Sequence, residues 1–302
     1  MASLSACLVA ALVPASTAPR SRTAPTQGVP RASPGRGSSV VTHASKLSLI
    51  ATGANIPHPD KIAKGGEDAW FVRIGPNGGG EIYVADGVGG FNEQGVDPGL
   101  YARVLTFEAA KAKETSSRNP LSRDGPKKLI QAAQEATKLP GASTMVVVEC
   151  VGMKIVGANL GDSGIRVVRG GAIVFASKAQ EHYFNCPFQL GYEPLSADTD
   201  VAEDADEFEF TVKPGDLVVA GSDGLFDNVF DDEIAFVVTA AVASVAGAGA
   251  LSAARCAAEQ LALVARKHAE DPLFESPYAV EAAAEKVGGA AKQNGPMVSI
   301  SH

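Results

Sequence analysis

From Ile56 onward the chain breaks into short apolar runs separated by glycine and polar residues. Ala69–Ile74 and Glu81–Ala85 read as two strands, joined by Gly75-Pro76-Asn77-Gly78-Gly79-Gly80, a strong turn signal. A helix is expected over 99–115, with Leu100, Val104, Leu105 and Phe107 recurring on one side. Residues 116–126, with Pro120 and Pro126, read as a loop. A second helix over 127–139 stops before Pro140-Gly141. The middle of the chain is β in character. Thr144–Val151 and Lys154–Ala158 form a hairpin about Gly152, and Ile165–Val168 and Ala172–Ala176 another about Gly170-Gly171. Phe208, Phe210 and Val212 alternate with polar residues as a half-buried strand does, and Leu217–Ala220 is an apolar strand. Further helices follow Asp231-Asp232, acids suited to a helix N-terminus, and span 251–268. Strands joined by tight turns, with helices gathered in two places, predict an antiparallel α+β layer fold.

The N-terminus has a different composition. Its first 59 residues hold no Asp or Glu and are rich in Ser, Thr, Ala and Pro, with scattered Arg20, Arg22, Arg31 and Arg36. Organelle transit peptides have this composition. Leu4–Val13 is apolar, but no basic residue precedes it, which weighs against a secretory signal. The lack of early arginine favours a chloroplast over a mitochondrion. Residues 1–45 are therefore expected to be a disordered transit peptide, cut near Ala44, with the folded domain over 46–302.

The formal net charge of −8 argues against nonspecific nucleic-acid binding, because nucleic-acid phosphates repel an acidic surface. The four cysteines are widely spaced with no CxxC pair, which suits a reducing compartment. No apolar run reaches membrane-spanning length, so no membrane span is expected. A monomer is expected.

Three segments share one design, an apolar strand ending in Asp-Gly or Asp-Ser: Ile82 to Asp86-Gly87, Ile155 to Asp162-Ser163, and Leu217 to Asp223-Gly224. Each places a carboxylate just past a buried strand, where the backbone is rigid and water can enter. Glu67-Asp68 stands at the start of another strand. Carboxylates clustered without His or Cys suit hard cations such as Mg²⁺ or Mn²⁺. Two such ions sharing a water would activate it for in-line attack on phosphorus. A lone Asp-Gly is more often a turn than a ligand, so the case rests on the repetition. No Cys precedes an Arg by six residues, and there is no Walker A loop, GxSxG elbow or HExxH. Asp198-Thr199-Asp200 lies in an acidic stretch and reads as a solvated loop, and His182 as a surface or structural residue.

Gly65-Gly66-Glu67-Asp68-Ala69, Val84-Ala85-Asp86-Gly87-Val88-Gly89-Gly90, Gly141-Ala142-Ser143-Thr144, Ala158-Asn159-Leu160-Gly161-Asp162-Ser163-Gly164 and Ser222-Asp223-Gly224-Leu225-Phe226-Asp227-Asn228 resemble, in order and spacing, the motifs of type 2C (PPM) metal-dependent protein serine/threonine phosphatases. Gly95-Val96-Asp97-Pro98 and 182–190 are similar to the short, organelle-targeted branch of that family. The resemblance covers about 56–278. It implies a four-layer α/β/β/α sandwich, two antiparallel sheets flanked by helices, with two Mn²⁺ or Mg²⁺ ions between the sheets and a third, weaker one. It implies that Asp86 bridges both ions, that the Gly87 carbonyl and Asp223 are ligands, and that Asp68 holds a metal-bound water. Glu67 would stand at the other ion, Asp162 at the weaker site, and Asp227 behind the metal-bound water. No side chain is expected to act as nucleophile; water does. Lys61 and Lys64 are the candidates for gripping substrate phosphate, and phosphoproteins are the expected substrates.

Two departures stand out. Val88 follows the first Asp-Gly where some family members carry histidine, as is normal in the organelle-targeted branch. The family also ends in a Gly-Gly-Lys-x-Asp-Asp-Ile/Val-Thr strand, whereas this chain has Val287-Gly288-Gly289-Ala290-Ala291-Lys292-Gln293 and no acid after Glu285. The resemblance thus implies a domain truncated or altered after about 285, short of one carboxylate and one core strand. It leaves open a second function, a weak or inactive pseudophosphatase that binds phosphoproteins or partners.

Overall fold

A computed structural model describes residues 6–14, 47–75, 78–115, 125–192, 194–196 and 199–293. The strands are β1 (Ala6–Pro14), β2 (Leu47–Asn55), β3 (Asp68–Ile74), β4 (Gly80–Asp86), β5 (Ala142–Ser143), β6 (Met145–Val151), β7 (Lys154–Leu160), β8 (Gly164–Arg169), β9 (Ala172–Ala176), β10 (Glu181–Tyr183), β11 (Cys186–Pro187), β12 (Leu190–Gly191), β13 (Asp206–Thr211) and β14 (Leu217–Gly221). The helices are α1 (Pro98–Thr115), α2 (Gly125–Ala136), α3 (Asp223–Phe226), α4 (Asp231–Ser244), α5 (Ala250–Glu270) and α6 (Pro277–Gln293).

Two antiparallel five-stranded sheets carry the fold, ordered β2-β1-β14-β8-β9 and β13-β7-β6-β4-β3. Between them lies an apolar layer that includes Leu49, Ile82, Val84, Val146, Val148, Ile165 and Val218. Strand periodicity explains the next layers, since alternate residues face opposite ways. Tyr83, Val147 and Ala158 turn outward to meet Leu105 and Ala109 of α1 and Leu129 and Ile130 of α2. Val219 turns outward from the other sheet toward Ile234 and Val238 of α4 and Leu261 of α5. The result is the α/β/β/α sandwich that the resemblance implies, and the antiparallel α+β class that the pattern predicts.

Two differences from the expectation concern particular residues. The buried face of α1 is Tyr101, Ala102, Leu105, Thr106 and Ala109, whereas Leu100 and Phe107 point outward. The packed face follows the i, i+3, i+4 rule, and its alanines let the helix approach the sheet closely. The stretch set aside as a disordered leader contains β1, which lies in the middle of a sheet. The rest of that stretch, up to Lys46, lies outside the described residues, as does 116–124 of the expected loop. The residues around 285 belong to a helix, α6, that runs to Gln293.

Candidate active site

One end of the sandwich gathers the carboxylates. Asp68 opens β3 and Asp86 closes β4, and the antiparallel register sets them directly opposite one another. The loop after Asp86 is held from several sides. Ser143 Oγ donates to the Asp86 carbonyl (2.8 Å) and the Thr144 amide donates to the same oxygen (2.9 Å). The Asp86 amide donates to Thr144 Oγ1 (3.2 Å), which shares a 2.7 Å hydrogen bond with Ser163 Oγ. Gly87 follows, its amide donating to the Glu67 carbonyl (3.1 Å). A Cβ at this residue would stand 2.4 Å from the Pro98 carbonyl oxygen, so only glycine lets α1 begin so close to the loop.

Asp223 follows β14 in the first turn of α3, and Asp227 ends that short helix with its amide donating to the Asp223 carbonyl (2.7 Å). Asp162 stands in the β7–β8 turn beside Gly161, whose φ of +98° suits glycine. A cleft of about 400 Å³ opens onto Lys61, Glu67, Asp86, Gly87, Asp162, Asp223 and Asp227.

The electrostatics are those of crowded, buried negative charge. Burial first, and then Asp223 nearby, push the Asp68 carboxyl up to about 7. Burial and the neighbouring Asp223 likewise raise Asp162 and Asp227, each to about 8. Asp86 is raised well above the usual carboxylate range by burial and by Asp223 and Asp68. Asp223 is raised as well, chiefly by burial. Asp86 and Asp223 stand close enough to act on each other's charge, an arrangement that needs either a shared proton or a cation.

Whether a cation fits can be judged from the polar atoms. Both Asp68 oxygens, Asp162 Oδ1 and Asp223 Oδ1 are buried without a hydrogen-bond partner. Leaving such oxygens unpaired costs several kcal/mol of solvation, roughly, unless a proton or cation meets them. Among the described residues, no three His, Cys, Asp or Glu side chains already stand in a chelating arrangement. Their chemistry is all-oxygen and anionic, the donor set of Mg²⁺ and Mn²⁺, and the residues fit those ions on that ground.

Of the two lysine candidates, only Lys61 lines the cleft, where its ammonium pairs with Glu67. Lys64 reaches outward to Asn92 Oδ1 (3.4 Å, exposed). Glu67 also accepts from Asn92 Nδ2 (2.6 Å), so it is held from two sides. His182 pairs with Asp200 and stacks on Phe188 at 4.2 Å between ring centroids, a structural role. Asp200 also accepts from the Gln189 amide (2.8 Å), while Asp198 lies outside the described residues. Sequence reasoning gave no role to Thr144, Ser163, Asn185 or Tyr278. The first two brace Asp86; the last two line the cleft, the Tyr278 ring tilted against Phe184 at 5.2 Å between centroids. Thr144 and Ser163 lie within motifs, which could have flagged them, but nothing in the sequence around Tyr278 marks it.

The chain is 44% identical over 242 residues to "Probable protein phosphatase 2C 26" of Arabidopsis thaliana, covering 80% of this chain and 74% of that protein. The chain belongs to the protein phosphatase 2C family. No protein-family model matches it. Among solved structures, the photosystem II phosphatase PBCP superposes with a TM-score of 0.66 at 36% identity, over 77% of this chain and 85% of that one. The catalytic domain of the serine/threonine phosphatase PstP, solved with two manganese ions, shares the fold at a TM-score of 0.50 and 15% identity, over 68% of this chain and 87% of that one. As a member of the family, the chain is a metal-dependent protein serine/threonine phosphatase whose substrates are phosphoproteins. No helix among the described residues is long and apolar enough to cross a membrane.

Proposed function

We propose that Asp68, Asp86, Asp223 and the Gly87 carbonyl hold two Mn²⁺ or Mg²⁺ ions, and that this chain hydrolyses phosphoserine and phosphothreonine in proteins at that site. The observation that carries the reading is the set of buried, partnerless carboxylate oxygens on Asp68, Asp162 and Asp223. When bound, the ions would activate water and neutralise charge on the phosphoryl oxygens.

The chain's own residues do the positioning. Ser143 and Thr144 fix the Asp86 backbone, and the Asp86 carboxylate lines the cleft. Asp162 and Glu67 flank the pair, Asp162 serving a weaker third position. Asp227, at the end of α3, orients water. Lys61, already turned toward this charge, meets a substrate phosphate oxygen when it swings from Glu67. The burial of Asp68, Asp86 and Asp223 keeps the local dielectric low, which strengthens these interactions.

The acid-free, hydroxyl-rich N-terminus and the likeness to a photosystem II phosphatase support a chloroplast location. The second reading is a phosphoprotein-binding pseudophosphatase. Turnover of a phosphothreonine peptide, titrated with Mn²⁺ and then with EDTA, tests the proposal. Mn²⁺-dependent release of phosphate, abolished by chelator and indifferent to thiol alkylation, is the expected outcome. Full activity in excess EDTA sinks the mechanism. Tight peptide binding with no turnover at any Mn²⁺ concentration selects the pseudophosphatase.

A further inference from the structure

The segment with the composition of a leader is built into the protein's centre. Strand β1 runs antiparallel between two neighbours, in register with β2 from Ala6↔Asn55 to Pro14↔Leu47 and with β14 from Cys7↔Gly221 to Ala11↔Leu217. Leu8, Ala10 and Leu12 join the layer between the sheets, and Cys7, Val9 and Ala11 the layer beneath α4 and α5. Cys7 to Leu12 are buried throughout, Leu8, Val9 and Leu12 completely. Beyond the ladders, the Leu12 amide donates to the Asp216 carbonyl (3.0 Å) and the Gly215 amide donates to the Leu12 carbonyl (2.8 Å).

Both faces of β1 are apolar, and both edges are paired, as in a central strand and unlike a detached transit peptide. Its removal would part β2 from β14 by about 10 Å, two strand spacings. Two rows of backbone amides and carbonyls would then lose their partners, at a cost no unfolded leader carries. The end of β14 that pairs with Cys7 leads, two residues later, to Asp223, so the strand also braces the acidic site.

We propose that Ala6–Pro14 is a permanent strand of the folded protein, seated in the slot between β2 and β14, and that cutting the chain within residues 15–46 leaves it there as a separately held peptide. Processing near Ala44 would then sever this strand from the rest without releasing it. Covalent linkage adds only a weakly length-dependent closure term, whereas two hydrogen-bonded edges and two buried faces hold the strand itself.

Hydrogen exchange on the unmodified full-length chain, read by mass spectrometry, decides the first half. Peptides spanning 6–14 should exchange as slowly as those spanning 217–221, on the order of 100-fold or more below the free-peptide rate. Complete exchange of 6–14 at the shortest time, with 217–221 still protected, overturns the proposal. The second half is tested by inserting a sequence-specific protease site between Gly35 and Arg36. After cleavage, the N-terminal fragment should co-elute with the body in gel filtration and separate only in denaturant. Release of the fragment from a body that keeps its melting temperature and its Mn²⁺-dependent turnover overturns it. Leu8→Asp should lower the melting temperature of the full chain by well over 5 °C or leave it insoluble, and an unchanged melt again refutes a core strand.

Discussion

Asp68 and Asp86 face each other across the β3–β4 ladder, both buried, at the one end of the sheet where β3 begins and β4 stops. Two like charges opposed in a sheet repel, and burial denies them the screening of water. The fold tolerates the pair because a function needs it.

Replacing one of them should therefore separate stability from activity. Asp86→Asn keeps the side-chain size but removes the charge. We expect turnover to fall by more than the roughly 10–100-fold typical of changes behind a metal ligand. In EDTA the variant should melt above the parent, because its repulsion is gone. Asp223→Asn should lose activity equally and Asp162→Asn less. Equal losses at all three positions, or a variant of Asp86 that melts lower in EDTA, would contradict this ranking.

The same crowding fixes the sign of the pH dependence. Folding raises Asp68 to about 7 and Asp162 and Asp227 to about 8, so the cation-free folded state keeps protons that the unfolded chain has released. Stability of that state is then fullest at low pH, below the unfolded carboxylate range, and is lost as pH rises through about 7 to 8. Cations compete with those protons and bind better as pH rises. Differential scanning fluorimetry at pH 6 and pH 8.5, each with EDTA or Mn²⁺, should show a larger Mn²⁺-induced shift at the higher pH. A shift that is larger at pH 6 would remove this explanation.

Lys61 and Lys64 read alike in the sequence, three residues apart ahead of Glu67-Asp68. The short 3-10 helix over Pro59–Lys64 turns Lys61 into the cleft and Lys64 away from it. Lys61→Ala should raise KM for a phosphothreonine peptide several-fold, while Lys64→Ala leaves kcat and KM within twofold of the parent. Reversed effects, measured by steady-state phosphate release, would assign the phosphate contact to Lys64.

The candidate site was legible in the repeated strand-to-Asp units, because continuous apolar runs ending in Asp-Gly or Asp-Ser place a carboxylate just past a buried strand. The hairpins about Gly152 and Gly170-Gly171 were legible for the same local reason. β1 was not, because Ala, Leu and Val in Ala6–Pro14 fit a leader as well as a strand, and its pairing with β14 spans some two hundred residues of chain. Such non-local pairing leaves no local mark. The outward turn of Leu100 and Phe107 was missed because hydrophobicity alone does not choose the face; the small residues Ala102 and Ala109 do, by allowing the sheet to approach.

Gly87 is the site's most restrictive position. Its carbonyl is proposed as a cation ligand, yet the steric argument is independent of any ion. A methyl group added there would meet Pro98 O at 2.4 Å, Pro98 C at 2.6 Å and Glu67 O at 3.0 Å. All three are backbone atoms, which cannot swing aside as a side-chain tip does. Gly87→Ala must therefore push the start of α1 away from the loop or pull Asp86 out of place. Overpacking of this kind costs about 1–3 kcal/mol. Gly90, three residues on in the same glycine-rich run, has open space where its Cβ would go, so Gly90→Ala should be nearly neutral. Urea unfolding in EDTA measures the steric cost, and Mn²⁺ titration of turnover measures the misplacement of Asp86. We expect Gly87→Ala to lose on both readouts and Gly90→Ala on neither. Equal unfolding midpoints for the two variants would mean that α1 yields freely, and that the close contact between Gly87 and Pro98 does not hold the site together.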